Sequence, residues 1–255
     1  RTFKFIFLLL TFSGLRGYDY TLPDDPLWPT AQQVQDFKDE VDGYLYPERS
    51  FVPRLFSSNR GPPLPGYVFV PENVSDIKEG VKFAKDHKMR ISVSSTGHHQ
   101  DMRNIADNTF HFDMRKFTDL DIDVDDKYLE TGTGNNFDVL FPALKTASNG
   151  TLTMVSGTCP SVGIYGWSVG GGYSFLNKLY GLGVDNLLEA ELVTADGDHI
   201  TVNEEDNSDL YWALRGGAGS AWGVVTKLKI RLHDDTGKWY SKKIIFPGTQ
   251  SNYKK

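Results

Sequence analysis

Tyr67-Val-Phe-Val-Pro-Glu-Asn-Val-Ser-Asp-Ile77, followed a helix's length later by Arg90-Ile-Ser-Val-Ser-Ser-Thr-Gly-His98, decides the fold class of this chain. Tyr67 to Val70 is a short β-branched and aromatic run that Pro71 closes, which predicts a strand. Ser75 offers an N-cap and Asp76 suits a first turn. Val74, Ile77, Val81 and Ala84 then fall on one face at helical spacing. Arg90 to Val93 is a second strand, and it runs straight into a glycine loop ending in His98. A strand, a helix and a strand leading into such a loop make a βαβ unit, whose ligand edge lies beyond the carboxyl end of the strand.

The second half of the chain has a different grammar. Leu188 to Thr194 and His199 to Val202 flank Ala195-Asp-Gly-Asp198, and Asp-Gly between two strand runs predicts a hairpin. Ser208 caps a short helix over Asp209 to Arg215, stopped by Gly216-Gly217. Lys227 to Leu232 alternates polar and apolar residues as a half-buried strand does. The class is therefore α+β, with a small parallel βαβ subdomain first and a larger, mostly antiparallel sheet with helices second. Before both lies a proline- and aromatic-rich extension, residues 18–66, in which only Ala31 to Tyr44 reads as helical.

With 255 residues the chain has enough length for a proper core, and a formal charge of −6 without a basic stripe excludes nucleic-acid binding and adhesion to anionic membranes. Residues 1–17 combine a basic start, a short apolar run and small residues. They read as a secretory signal peptide, with a buried strand as the alternative, and predict a mature start between Ser13 and Asp19. Two acceptor sequons, Asn73-Val-Ser75 and Asn149-Gly-Thr151, suit a secreted glycoprotein. Nothing in the sequence assigns an oligomeric state.

Cys159 is the only cysteine, so it has no intrachain partner; it is either a small buried hydrophobe or a thiol reserved for chemistry. Around it Gly157, Gly163, Gly166, Gly170, Gly171 and Gly172 crowd into one stretch. Glycines allow a backbone to approach a ligand closely and to form an anion nest, but they equally serve tight turns in a sheet. Gly163-Ile-Tyr-Gly166 is not the spacing of a Rossmann fingerprint, Gly132-Thr-Gly134 has Phe137 where a third glycine would fall, and no P-loop lysine follows. His98 reads either as a hydrogen-bonded structural histidine or as a ligand-holding one. His98, His99, Asp101, His111, Asp113 and Cys159 lack zinc spacing, so no metal site is assigned.

Seven motifs then come in a familiar order: Pro71-Glu-Asn-Val-Ser-Asp-Ile77, Ser95-Thr-Gly-His98, Gly157-Thr-Cys-Pro-Ser-Val-Gly163, Gly170-Gly-Gly172, Tyr180-Gly-Leu-Gly-Val-Asp-Asn186, Val193-Thr-Ala-Asp-Gly197 and Asp209-Leu-Tyr-Trp-Ala-Leu-Arg-Gly-Gly217. From about Trp28 to Asp235 the chain resembles the FAD-linked oxidases of the berberine bridge enzyme-like group, in the vanillyl-alcohol oxidase superfamily. The resemblance implies a PCMH-type FAD-binding domain over residues 67–235. It further implies bicovalent FAD, held by His98 at the flavin 8α-methyl carbon and by Cys159 at ring carbon C6. Ser94, Ser95, Thr96 and Gly97 would wrap the pyrophosphate. Gly157, Thr158 and Gly163 would shape the thiol's loop, and Gly166, Gly170, Gly171, Gly172 and Val225 would pack against the remaining cofactor. Val162 matches a position that is small where oxygen reaches the flavin.

The resemblance also has gaps. The loop His99-Gln-Asp-Met-Arg-Asn104 lacks the family's small polar residue and glycine, and Leu27 stands where a disulfide cysteine is common. The family's C-terminal substrate domain, which supplies the catalytic base, is missing; residues 236–255 correspond to its start, and no catalytic residue is named. The implied function is hydride transfer from an alcohol, sugar or amine carbon of a small-molecule substrate to flavin, with O2 as acceptor. The alternatives are a flavin dehydrogenase using another acceptor and a non-catalytic FAD-binding module.

Overall fold

The computed structural model describes residues 20–47, 64–99, 104–217 and 221–237. The expectations for the signal segment and for residues 238–255 lie outside the described residues, as do Gln100, Asp101, Met102 and Arg103 of the loop after His98.

The first unit is a four-stranded sheet in the order β1-β2-β4-β3, built from β1 (Tyr44–Pro47), β2 (Tyr67–Val70), β3 (Arg90–Ser94) and β4 (Thr109–Asp113). β2, β4 and β3 run parallel, and β1 is antiparallel to β2. The expected βαβ unit is present, but its two strands are not neighbours, because β4 lies between them. Sequence reading passed over β4 because His111 and Asp113 interrupt its apolar run, yet all five of its residues are buried. α2 (Val74–Asp86) covers this sheet with Ile77, Val81, Phe83 and Ala84. Its N-cap is Asn73, not Ser75: the Asn73 carboxamide oxygen accepts from the Asp76 amide at 2.9 Å, while Ser75 lies exposed inside the helix.

α1 (Ala31–Glu40) opens on a capping box between Thr30 and Gln33. It stops four residues before the expected end, and Tyr44 begins β1 instead. Phe37 from α1 joins Phe69, Phe83, Phe110 and Phe112 in an aromatic core with ring centroids 4.6–5.8 Å apart. The segment before residue 67 thus supplies both a strand and a core side chain to the first unit.

The second unit is a five-stranded antiparallel sheet in the order β5-β6-β10-β8-β9, from β5 (Leu120–Asp123), β6 (Tyr128–Gly132), β8 (Leu187–Val193), β9 (His199–Val202) and β10 (Val224–Arg231). The Asp-Gly hairpin joins β8 to β9, with Gly197 at φ +85°. A two-residue pair, β7 (Leu152–Thr153) with β11 (His233–Asp234), flanks it. α3 (Phe137–Ala147), α4 (Ile164–Val169), α5 (Asn177–Tyr180) and α6 (Ser208–Leu214) accompany these strands. α6 begins one residue earlier than expected, after Asn207, which takes a left-handed φ of 50° and makes no side-chain cap. Leu129, Phe137, Leu140, Ile164, Leu192 and Leu228 fill the core. The two units meet where Val193 and Val224 pack into the aromatic core of the first. Beside that seam opens an apolar cleft lined by Ile91, Val93, Thr194, Trp222 and Gly223.

Candidate cofactor site

The loop that leaves β3 is pinned by its side chains at nearly every position. Ser94 Oγ bonds to His111 Nε2 at 2.9 Å, Ser95 Oγ donates to the Thr133 carbonyl, and Thr96 Oγ1 accepts from the Gly163 amide at 2.9 Å. The amides of Thr96, Gly97 and His98 donate to no group among the described residues. Gly97 takes φ +77°, and a side chain there would enter open space. Amides gathered at such a turn form a concavity for an anion.

His111 anchors this loop from beneath. Its ring bridges Ser92 Oγ, at 2.8 Å, and Ser94 Oγ, while Ser92 reaches Thr109 at 2.8 Å. Burial lowers the His111 pKa to about 4, outweighing the Asp113 charge that favours the cation. The ring is therefore neutral at physiological pH and accepts one of its two serine bonds.

The second loop runs from Gly157 into α4. Cys159, Pro160, Ser161 and Val162 form a turn closed by the Val162 amide on the Cys159 carbonyl at 3.2 Å. Proline at the second position presets its dihedral. The first amides of α3 hold the turn, Asp138 on the Pro160 carbonyl at 2.8 Å and Phe137 on the Val162 carbonyl at 3.2 Å. Gly163 is where the two loops touch. A Cβ there would sit 2.8 Å from two Thr96 atoms and 2.9 Å from Ser95 Oγ, so only glycine permits the contact.

This docking brings His98 and Cys159 to one place, although 61 positions separate them. Ser161 Oγ lies 2.9 Å from His98 Nε2 and 3.5 Å from Cys159 Sγ. Cys159 is exposed, so it is not the small buried hydrophobe. Ser161 is the residue sequence reasoning missed; its motif was legible, but only the fold shows that it stands between the other two.

The remaining glycines divide into two groups. Gly166 and Gly171 have nothing within 4 Å of an added Cβ and remain open. Gly170 is exposed, as is Thr158. Gly157 instead backs onto Trp167 and Phe137, and Gly172 packs on Gly183 and Trp167, where a Cβ would lie 2.6 Å from the Gly183 Cα. Val162 is half-buried against the second core. Val225 is buried in that core and reaches the site through backbone, since its carbonyl accepts from Thr133 Oγ1 at 3.2 Å. Tyr165 is buried without a hydrogen-bond partner among the described residues, and burial pushes its pKa well above the phenol range.

The turn of free amides at Thr96 to His98 suits an anionic group, and the exposed thiol and imidazole stand beside it on the docked loops. The fold is that of a PCMH-type FAD-binding domain, and residues 65–203 match the family described as FAD binding domain. The chain belongs to that family, among the FAD-linked oxidoreductases. It is 37% identical over 180 residues to the FAD-linked oxidoreductase ZEB1 of Gibberella zeae, covering 67% of this chain and 31% of the relative. The VAO-type flavoprotein oxidase VAO615 of Thermothelomyces thermophilus gives 37% over 179 residues, again 67% and 31%. The solved BBE-like 1 of Physcomitrella patens superposes with a TM-score of 0.72 at 31% identity, covering 79% of this chain and 44% of that one. The chain therefore spans about a third of the length of these curated relatives.

Proposed function

We propose that this chain is the cofactor-carrying part of an FAD-dependent oxidase that holds its flavin by two covalent bonds, at His98 and Cys159. The observation that carries this reading is the meeting of the exposed thiol and the imidazole at Ser161, each on its own clamped loop. When bound, FAD supplies the two-electron chemistry, accepting hydride from an alcohol, sugar or amine carbon, with O2 as final acceptor. The protein's part is placement. Backbone amides of Thr96 to His98 would donate to the pyrophosphate, and the docked loops would hold the ring end. The substrate side is completed by sequence that the relatives carry beyond the stretch matched here, and the catalytic base is placed there.

Acid precipitation tests the attachment: flavin should stay with the protein pellet. His98→Ala should leave a cysteine-linked flavin and Cys159→Ala a histidine-linked one; release of all flavin by either single substitution would sink the two-point reading. Peroxide release over a substrate panel then separates an oxidase from a dehydrogenase, which reduces a dye without peroxide, and from a binding module, which does neither.

Export and glycosylation belong to the same proposal. Asn149 is exposed in the turn after α3, whereas the Asn73 side chain is occupied as a helix cap and donates to Asp42 at 3.0 Å. Mass spectrometry of secreted protein should find a start between Ser13 and Asp19; retention of Phe5 to Leu10 would contradict it.

A further inference from the structure

Ser161 stands between the two attachment residues without a backbone duty of its own. The carbonyls of its turn are held by α3, and the described partners of its hydroxyl are His98 Nε2 and Cys159 Sγ. A hydroxyl carries one donor and two acceptor sites, so it can accept from a thiol while donating to an unprotonated ring nitrogen. The separations of 3.5 Å to sulfur and 2.9 Å to nitrogen suit both bonds.

We propose that Ser161 is a positioning residue that couples the Cys159 thiol to the His98 imidazole and carries the proton between them. The inference rests on reading His98 and Cys159 as the flavin attachment points. In the relay the Sγ–H proton passes to Ser161 Oγ as the Ser161 proton passes to His98 Nε2. One S–H bond breaks, one N–H bond forms, and the hydroxyl is restored. A thiol beside a neutral imidazole becomes a thiolate beside an imidazolium, with no change in net charge. The thiolate is the form of cysteine that attacks carbon.

Cys159 is the only cysteine, so alkylation of the flavin-free full chain by iodoacetamide at fixed pH reads one site. Loss of one hydrogen bond to the thiolate should slow alkylation about 3–10-fold in Ser161→Ala. His98→Ala should slow it by a similar factor, and the double variant should be no slower than either single one. Ser161→Thr, which keeps the hydroxyl, should restore most of the rate; a residue that merely shaped the turn would show no such rescue and no dependence on His98. Unchanged alkylation in Ser161→Ala, or effects of the two substitutions that multiply, would overturn the relay.

A second arm adds FAD and follows acid-stable flavin by mass. Wild-type protein carrying both bonds, with Ser161→Ala forming the cysteine bond equally fast, would also remove the inference while leaving the attachment reading intact. Wild-type protein that traps no flavin would remove the attachment reading, and the alkylation series would still decide whether thiol and imidazole are coupled.

Discussion

At the scale of single residues, the site depends on one missing methyl group. Gly163→Ala places a Cβ against Thr96 and Ser95, both fixed by hydrogen bonds, so neither neighbour gives way easily. Overpacking of this kind costs about 1–3 kcal/mol. The variant should lose that much stability in a denaturant titration and bind less FAD than wild type; full retention of both would show the contact to be soft. His111 gives a pH signature. Its pKa is about 4 in the folded chain against 6.5 when exposed, so the unfolded chain takes up a proton first as pH falls. Its contribution is complete above 6.5, shrinks between 6.5 and about 4, and is constant below. The shift corresponds to about 3 kcal/mol. His111→Leu should lower stability at neutral pH, by removing the imidazole partner of Ser94 and one of the two partners of Ser92, and flatten that part of the pH profile in urea melts at pH 4, 5 and 7.

At the scale of elements, the boundaries show what a sequence discloses. β2 and β9 lie where their patterns end, because proline and Asp-Gly punctuate them. β4 was illegible: its polar residues are paired inside the protein, and a pattern of polarity cannot display a partner that the fold brings in. α3 was unread for a related reason, since Pro142 interrupts its helical pattern. For α2 the sequence reading took Ser75 as the cap, and the structure places Asn73 there instead. Asn73→Ala should cost about 1 kcal/mol and Ser75→Ala less than about 0.5. Equal losses in chemical denaturation would return the cap to Ser75. The candidate site was half legible: its two reactive residues and their glycines stood out singly, but their meeting at Ser161 depends on Gly163 and on the start of α3.

At the scale of the molecule, the stretch after Gly170–Gly172 turns large apolar side chains outward. Tyr173 is 73% exposed, Phe175 80% and Leu179 60%. An apolar patch of this kind promotes association unless another surface covers it. The chain alone should therefore self-associate with rising concentration in sedimentation experiments, and Phe175→Ser with Leu179→Ser should reduce this; concentration-independent monomers would contradict it. On the proposed function, hydride transfer needs a positioned, water-excluding environment around the flavin. Turnover per acid-stable flavin should accordingly be well below that of a chain extended to the relatives' length; equal turnover would place the catalytic base among these residues.

The strand order of the first sheet carries a consequence for synthesis. β2 and β3 leave the ribosome in sequence, yet they are separated by a slot one strand wide that only β4 fills. Ser92 and Ser94 have no imidazole to bond until residue 111 arrives, so the shape of the Thr96 to His98 turn waits on a strand still to be made. A nascent chain halted before Thr109 holds every residue of the anion cradle and none of its support. The cradle is thus braced wholly by residues made after it: His111 first, then the Thr133 carbonyl and the Gly163 amide.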